Sequence, residues 1–309
     1  MAEIGKLSAT KIGTYITCPF LYYLKYIEHE KVPTSVNLVF GRQIHYMLEQ
    51  FYKVSYKDAD KFANSWKYRW RGVIAGEFLK GKEKENLKIE THTIKLRGGG
   101  EDKIETGNHV KFFGETPVSG FYAYKRLGVS ILKRFYERHK PQPSPSLTEK
   151  RFTFNFRGYE ITGVLDRVER YNGGIYITDY KTDKSSPERG TFILHKHPQF
   201  TIYSSAYRSL FNEEEKNILY YHLRSGTVLK TTRVQADYDY LEQLCERVSD
   251  GISKDDFTPH YGYQCRFCDF QRPCSQRTTG LDGIRMLEKD EIKAEYPEEW
   301  MGWLMDDER

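Results

Sequence analysis

Between Gly163 and Lys181 the chain reads G-V-L-D-R-V-E-R-Y-N-G-G-I-Y-I-T-D-Y-K, and this stretch limits the possible folds more than any other. One arm holds Val164, Leu165 and Val168. The turn, Asn172-Gly173-Gly174, tolerates positive φ. The other arm, Ile175-Tyr176-Ile177-Thr178, is β-branched and aromatic, so the whole reads as a β-hairpin. Its arms carry Asp166, Asp179 and Lys181. Asp179 and Lys181 stand two apart on an extended strand and share a face. Two carboxylates on paired strands suit a hard divalent cation, and an ammonium beside a metal-bound water can orient that water or assist its deprotonation. These are the parts of metal-assisted phosphodiester hydrolysis. Taken alone, D-x-K more often marks two solvent-facing charges at a strand end, and it occurs by chance in many proteins.

The flanking chain supplies more strands. Phe152, Phe154 and Phe156 alternate strictly, which predicts a half-buried strand with Glu149 at its start. With Tyr159–Gly163 leading into the hairpin, residues 149–181 form a three-stranded meander. Residues 217–223 and 228–234 flank Arg224-Ser225-Gly226-Thr227 as a second hairpin. Between these groups, P-Q-F-T-I-Y-S-S-A-Y reads as a helix that places Gln199, Tyr203 and Tyr207 on one face. That polar stripe suits hydrogen bonds to phosphate or base, and equally a boundary with solvent. Another helix is expected over 237–252, with Cys245 among its buried residues.

The first half is helical. Ser8 is an N-cap for a helix over about 9–16. Residues 36–54 repeat apolar side chains at helical spacing, with His45 beside the stripe. Residues 57–90 are expected to continue as helix, with Phe62, Trp66, Trp70, Val73, Ile74 and Phe78 buried. Lys61, Lys67, Arg69 and Arg71 lie among them. Such interleaving marks either a core stripe with a solvated face or a single-strand channel. Residues 91–118, with Gly98–Gly100, read as a loop, and 119–140 return to helix. Pro141–Pro145 is a stiff linker that separates this half from the strand-rich one.

Hydrophobic content of 39% and aromatic content of 15% argue for a folded chain. A net charge of +5 permits a polyanionic partner without requiring one. No apolar run is long enough to span a membrane, and Glu3 precedes any apolar stretch, so no membrane association and a cytoplasmic location are expected. G-x-x-x-x-G-K-[ST] does not occur, which argues against a nucleotide-driven motor. Three of the five cysteines form Cys265-x2-Cys268-x5-Cys274. That is a metal-binding spacing one ligand short of four, with Cys18 and Cys245 as the remaining candidates.

In order along the chain stand S-A-T-K-I-G-T-Y-I-T-C-P, G-R-Q-I-H, Glu149, G-V-L-D-R-V-E, D-Y-K-T, Q-F-T-I-Y and C-x2-C-x5-C. This series resembles the RecB-like branch of the PD-(D/E)XK nucleases, most closely its iron–sulfur members, the Cas4 nucleases and the AddB-type nuclease domain. The resemblance implies an α/β (α+β) fold with a restriction-endonuclease-like core: a mixed central sheet flanked by helices. The division expected is an N-terminal helical part (1–54), a helical and glycine-rich insertion forming a cap or arch (55–145), the nuclease core (146–260), a cluster-binding segment (261–280) and an acidic tail (281–309).

The same resemblance implies a [4Fe–4S] cluster on Cys18, Cys265, Cys268 and Cys274, joining the N- and C-terminal segments. It implies one or two Mg²⁺ or Mn²⁺ ions held by Asp166, Asp179, His45 and the Tyr180 carbonyl. Lys181 would act on the attacking water, with Glu149 as an outer carboxylate. Gln199 and Tyr203 would hold DNA, and Tyr207 shares their stripe. The path of about 120 residues between His45 and Asp166 is longer than is usual in this branch. The expected function is a metal-dependent DNA exonuclease acting on single-stranded ends or overhangs, alone or with a separate helicase or recombination protein. The rival reading is an iron–sulfur DNA-binding subunit whose nuclease centre is idle.

Overall fold

The computed structural model describes residues 5–54, 56–96, 100–112, 116–140, 145–185 and 193–279. Positions 141–144 of the expected linker, Gly98 and Gly99, and the acid-rich tail with Trp300 and Trp303 lie outside these. The chain divides into two compact units, Met1–Asp269 and Phe270–Arg309.

In the first unit the α-helices are α1 (Ala9–Thr17), α2 (Pro19–Tyr22), α3 (Val36–Lys53), α4 (Ala59–Ala75), α5 (Lys82–Glu85), α6 (Pro117–His139), α7 (Ile193–Lys196), α8 (Pro198–Phe211) and α9 (Gln235–Ser253), with a π-helical turn at Tyr23–Ile27 and a 3-10 turn at Tyr263–Phe267. The strands are β1 (Thr34–Ser35), β2 (Ile89–Lys95), β3 (Glu101–Gly107), β4 (Val110–Lys111), β5 (Leu147–Phe156), β6 (Tyr159–Tyr171), β7 (Gly174–Lys181), β8 (Asn217–His222) and β9 (Thr227–Thr231). In the second unit, α10 (Gln271–Thr279) carries Cys274, whose N–H donates to Phe270 O at 2.9 Å.

The central sheet has the order β5-β6-β7-β8-β9. β5, β6 and β7 form the antiparallel meander expected from the phenylalanine alternation and the Asn-Gly-Gly turn. β8 then joins β7 in parallel, and β9 closes the sheet as an antiparallel partner of β8. This is a mixed α/β architecture of restriction-endonuclease-like type.

Two apolar clusters form. In the first, Ile12, Phe200, Ile202, Leu241 and Val248 pack with Phe152, Ile161 and Ile177 of the sheet. In the second, Phe40, Ile44, Trp66, Trp70, Phe135 and Tyr136 pack with Tyr180 and Tyr221. Burial on this scale, roughly 1.5–3 kcal/mol per fully buried large apolar side chain, is what fixes the helices on the sheet. α6 crosses α4 so closely that a Cβ at Gly128 would lie 2.2 Å from the Trp66 ring, so only glycine fits there.

Two expectations are corrected. Helix α4 ends at Ala75 rather than continuing to residue 90, because Gly76 takes the left-handed conformation at φ +79° and its N–H caps the last turn. Residues 91–118 are not irregular throughout. β2 and β3 pair in antiparallel register from Ile89↔Gly107 to Lys95↔Glu101. Arg71 of α4 ties this ribbon down by bonding Asp102 and the Lys103 carbonyl. The ribbon buries little on its exposed side, which is why its sequence lacks a clear apolar alternation.

Candidate active site

The site forms where the sheet's ladders are interrupted. On β5 and β6, Thr148 pairs with Arg167 and Lys150 with Leu165, but Glu149 and Asp166, opposite each other between these pairs, do not bridge. Glu149 has φ +46°, the left-handed region that a non-glycine residue occupies only under constraint. This conformation reverses the pleat. Leu147 and Phe152 differ in parity yet pack on the same core cluster. On the other side of β6, pairing with β7 ends at Arg167↔Thr178. Asp166 and Asp179 are next in that register and open. The Asp166 Oδ2 takes the place of a ladder carbonyl by accepting the Tyr180 N–H at 2.9 Å.

His45 reaches this gap from α3, which Ser35 caps through the Leu38 N–H. Gly41 lets α3 come close to the end of β7, since a Cβ there would stand 3.1 Å from Thr182 Oγ1. The His45 Nε2 meets the Tyr180 carbonyl at 2.9 Å. A carbonyl only accepts, so in the protein alone the proton sits on Nε2. The Nδ1 then faces Glu149 Oε1 at 3.4 Å and Asp166 Oδ1 at 3.5 Å. A bare lone pair against two carboxylates is repulsive, so the geometry calls for a cation or a second proton. Burial disfavours that proton, but the Asp166 charge and the hydrogen bonds that the protonated ring donates to Asp166 and Glu149 outweigh it, and the His45 pKa lies well above its ordinary value. Donor atoms of His45, Glu149 and Asp166 all lie within 4.8 Å of one another, a grouping that can hold a metal ion.

Asp179 is fully buried, and burial pushes its carboxyl up to about 6, against the opposing pull of Lys181. Its two oxygens differ. Oδ1 accepts from Lys181 Nζ at 3.1 Å and from Tyr203 Oη at 3.4 Å. Oδ2 stands 2.9 Å from the same ammonium, yet no donor is aligned on it. The distance shows charge proximity, and the missing alignment shows a lone pair open to a cation. Lys181 also donates to Gln199 Oε1 at 2.9 Å, and Gln199 Nε2 donates to Tyr203 Oη at 2.6 Å. Lys181, Gln199, Tyr203 and Asp179 thus form a closed ring. Burial acts to lower the Lys181 pKa, but the Asp179 carboxylate raises it further, so the side chain is an ammonium.

The structure therefore brings together His45, Glu149, Asp166, Asp179, the Tyr180 carbonyl, Lys181, Gln199 and Tyr203. His45, Glu149, Asp166, Gln199 and Tyr203 line a cleft of about 810 Å³, with Arg42 and Tyr46 at its α3 side. Tyr207 is not brought to it: that side chain is buried and its hydroxyl donates to Glu213 at 3.0 Å. Sequence reasoning missed Arg167. It is buried beneath Tyr180, donates to Tyr180 Oη at 3.4 Å, pairs with Glu169 and lies over the Tyr52 ring. Its position beside Asp166 on a strand was the available signal, since neighbours on a strand face opposite ways.

The cysteines fall into two kinds. Cys245 is wholly buried in the first core cluster and burial pushes its thiol up to about 12, the setting of an inert core residue. Cys18, Cys265, Cys268 and Cys274 are partly accessible. Within the first unit the Cys18 Sγ accepts the His260 N–H at 3.4 Å, and the Cys265 Sγ lies 3.9 Å from the His260 carbonyl. Within the first unit, among the described residues, Cys18, Cys265 and Cys268 do not close on one point as ligands of a single ion would.

A mixed sheet whose interrupted ladders gather carboxylates, a histidine and a lysine has the donor set that metal-dependent phosphoryl hydrolysis uses. The chain belongs to the PD-(D/E)XK nuclease superfamily, whose family model matches residues 6–275. Members are generally nucleases, they use divalent metals such as Mg²⁺ or Mn²⁺, and a nuclease of this superfamily acts on DNA. No curated protein matches the chain. A solved structure titled "Crystal structure of SSO0001" is similar at 18% identity and TM-score 0.29, covering 50% of this chain and 77% of that one. Among the described residues no helix is long and apolar enough to cross a membrane.

Proposed function

We propose that the protein is a metal-dependent DNA exonuclease of the Cas4/RecB-like type, acting on single-stranded ends. The observation that carries this reading is the donor group of His45, Glu149 and Asp166 beside the buried, open Oδ2 of Asp179. A hard cation matches that oxygen-rich set. Asp166, Asp179, His45 and the Tyr180 carbonyl would hold it, with Glu149 as a further carboxylate. When bound, the ion supplies Lewis-acid stabilisation of the phosphate charge and lowers the pKa of water.

The chain's own residues do the rest. Two of the three donors on Lys181 are engaged by Asp179 and Gln199, which aims the ammonium and leaves one donor for a water or a phosphate oxygen. Gln199 and Tyr203 act here through Lys181 and Asp179, a different use from the direct DNA contact expected of them. Arg42 at the cleft mouth is exposed and suited to a phosphate. The [4Fe–4S] cluster on Cys18, Cys265, Cys268 and Cys274 belongs to the same proposal. Its support is the C-x2-C-x5-C spacing, the accessibility of these four thiols, and the exclusion of Cys245 by burial. A separate helicase or recombination protein would supply unwound ends.

The test is digestion of single-stranded DNA carrying a 5′ or a 3′ label with Mg²⁺ or Mn²⁺, beside Lys181→Ala. Release of mononucleotides or short products from one label first supports the exonuclease reading and gives its polarity. Internal cuts that release both labels at once, or equal cleavage by Lys181→Ala, would reject it.

A further inference from the structure

Helices α3 and α4 leave a groove next to the catalytic cleft. In α4 the interleaved aromatics and bases sort themselves by burial. Phe62, Trp66, Trp70, Val73 and Ile74 enter the core, whereas Tyr68 is 81% exposed and Phe78 just beyond the helix is 49% exposed. Tyr46 of α3 is exposed as well. The Arg69 guanidinium lies between two of these rings, 4.2 Å from the Tyr46 centroid and 4.0 Å from that of Phe78. Its Nε donates to Gln43 Oε1 at 2.8 Å, which holds the plane in place. Arg71, two residues on, is committed to Asp102 and the Lys103 carbonyl. Arg69 forms no ion pair with the described residues.

Single exposed aromatics are ordinary on a protein surface. Here a cation is sandwiched by exposed rings in a groove of about 410 Å³. Two arginines and one carboxylate, Glu77, line that groove among the described residues; with Arg71 committed to Asp102, Arg69 is the cation placed to meet a phosphate there. It also lies next to the catalytic cleft, because Tyr46 lines both.

We infer that this groove holds the unpaired strand of the nucleic-acid substrate next to the cleft, with bases stacking on Tyr46 and Phe78 and Arg69 meeting the phosphates. The inference rests on the nuclease reading above and adds to it a binding subsite. Every base has a π-face, so such a platform is indifferent to sequence, as suits an enzyme that consumes a strand from its end. A held guanidinium beside the rings contributes both cation–π and phosphate contact.

The experiment is fluorescence anisotropy of a labelled oligothymidylate, and of the same backbone with abasic sites, against full-length protein in EDTA. Wild type is expected to bind the thymidylate tighter. Phe78→Ala should weaken thymidylate binding roughly ten-fold and leave abasic binding unchanged, the signature of lost stacking. Arg69→Gln should weaken both and lower the salt slope by about one. Phe78→Leu, which keeps apolar bulk without a ring, serves if the alanine variant melts early. Equal binding by wild type, Phe78→Leu and Arg69→Gln would overturn the inference, as would a wild type that binds neither strand or does not distinguish them. Cleavage with Mn²⁺ is read in parallel. A wild type that binds as expected but cuts nothing sinks the nuclease reading and leaves the groove; one that cuts while its variants bind equally sinks the groove alone.

Discussion

The Lys181 ammonium is held by the Gln199 amide at 2.9 Å, and that contact closes a ring through Tyr203 and Asp179. Without it the ammonium would keep only Asp179, a carboxylate whose other oxygen is open to a cation.

Gln199→Ala should therefore act on the chemical step. A hydrogen bond to a charged group is worth about 1.5–3 kcal/mol, so kcat should fall roughly ten- to a hundred-fold with KM for DNA little changed. Steady-state kinetics over a range of DNA concentrations separate the two. A raised KM with unchanged kcat would instead make Gln199 a direct DNA contact.

Metal binding should raise the thermal stability of the wild type. An ion at about 100 times its Kd adds about 2.7 kcal/mol, a shift of a few degrees in Tm. Asp166→Asn keeps an acceptor for the Tyr180 N–H and removes a charge from the donor group. It should fold in EDTA as well as the wild type and lose the Mn²⁺-induced shift in differential scanning fluorimetry. An undiminished shift would place the ion elsewhere.

His139 predicts a pH dependence of stability. It is buried in the second core, stacked on Phe135 at 3.9 Å with Nδ1 donating to the Phe135 carbonyl. Burial pulls its pKa from 6.5 down to about 4. The unfolded chain takes up a proton first, so the stability contributed by neutral His139 is complete above about pH 6.5 and is lost as the pH falls toward 4, up to about 3 kcal/mol. His197, also shifted to about 4 by burial, acts with the same sign. His139→Phe should flatten urea-derived stability between pH 6.5 and 4; an unchanged slope would remove His139 from the account.

The cysteines separate by iron content. After anaerobic purification Cys268→Ala should lose iron and sulfide, whereas Cys245→Ala should keep both and lose only packing, at about 1–3 kcal/mol of stability. A Cys268→Ala protein that retained full iron would contradict the proposed ligand set, and a wild type holding zinc in place of iron would contradict the cluster itself.

The meander was legible because its signals are local: alternating Phe152, Phe154 and Phe156, the Asn172-Gly173-Gly174 turn, and a β-branched return arm. The Ser8 cap, α8 and the hairpin of β8 and β9 were legible for the same reason. The β2–β3 ribbon was not, since a mostly exposed, charged pair of strands carries little apolar pattern. In the site, D-x-K fixed the shared face of Asp179 and Lys181. The tie between Gln199 and Lys181 depends on how α8 crosses the sheet, and periodicity within α8 cannot report that. The same limit explains Arg69. Spacing placed it among aromatics, but only packing shows which of those rings are buried and which stand beside it in solvent.

The most direct test of the central claim is cleavage of single-stranded DNA as Mn²⁺ is titrated into wild type and Asp179→Asn side by side. The account predicts no cleavage in EDTA, saturable activation of the wild type by the metal, and no activation of the variant while its fold is retained. Metal-dependent cleavage by Asp179→Asn at the wild-type rate would contradict it.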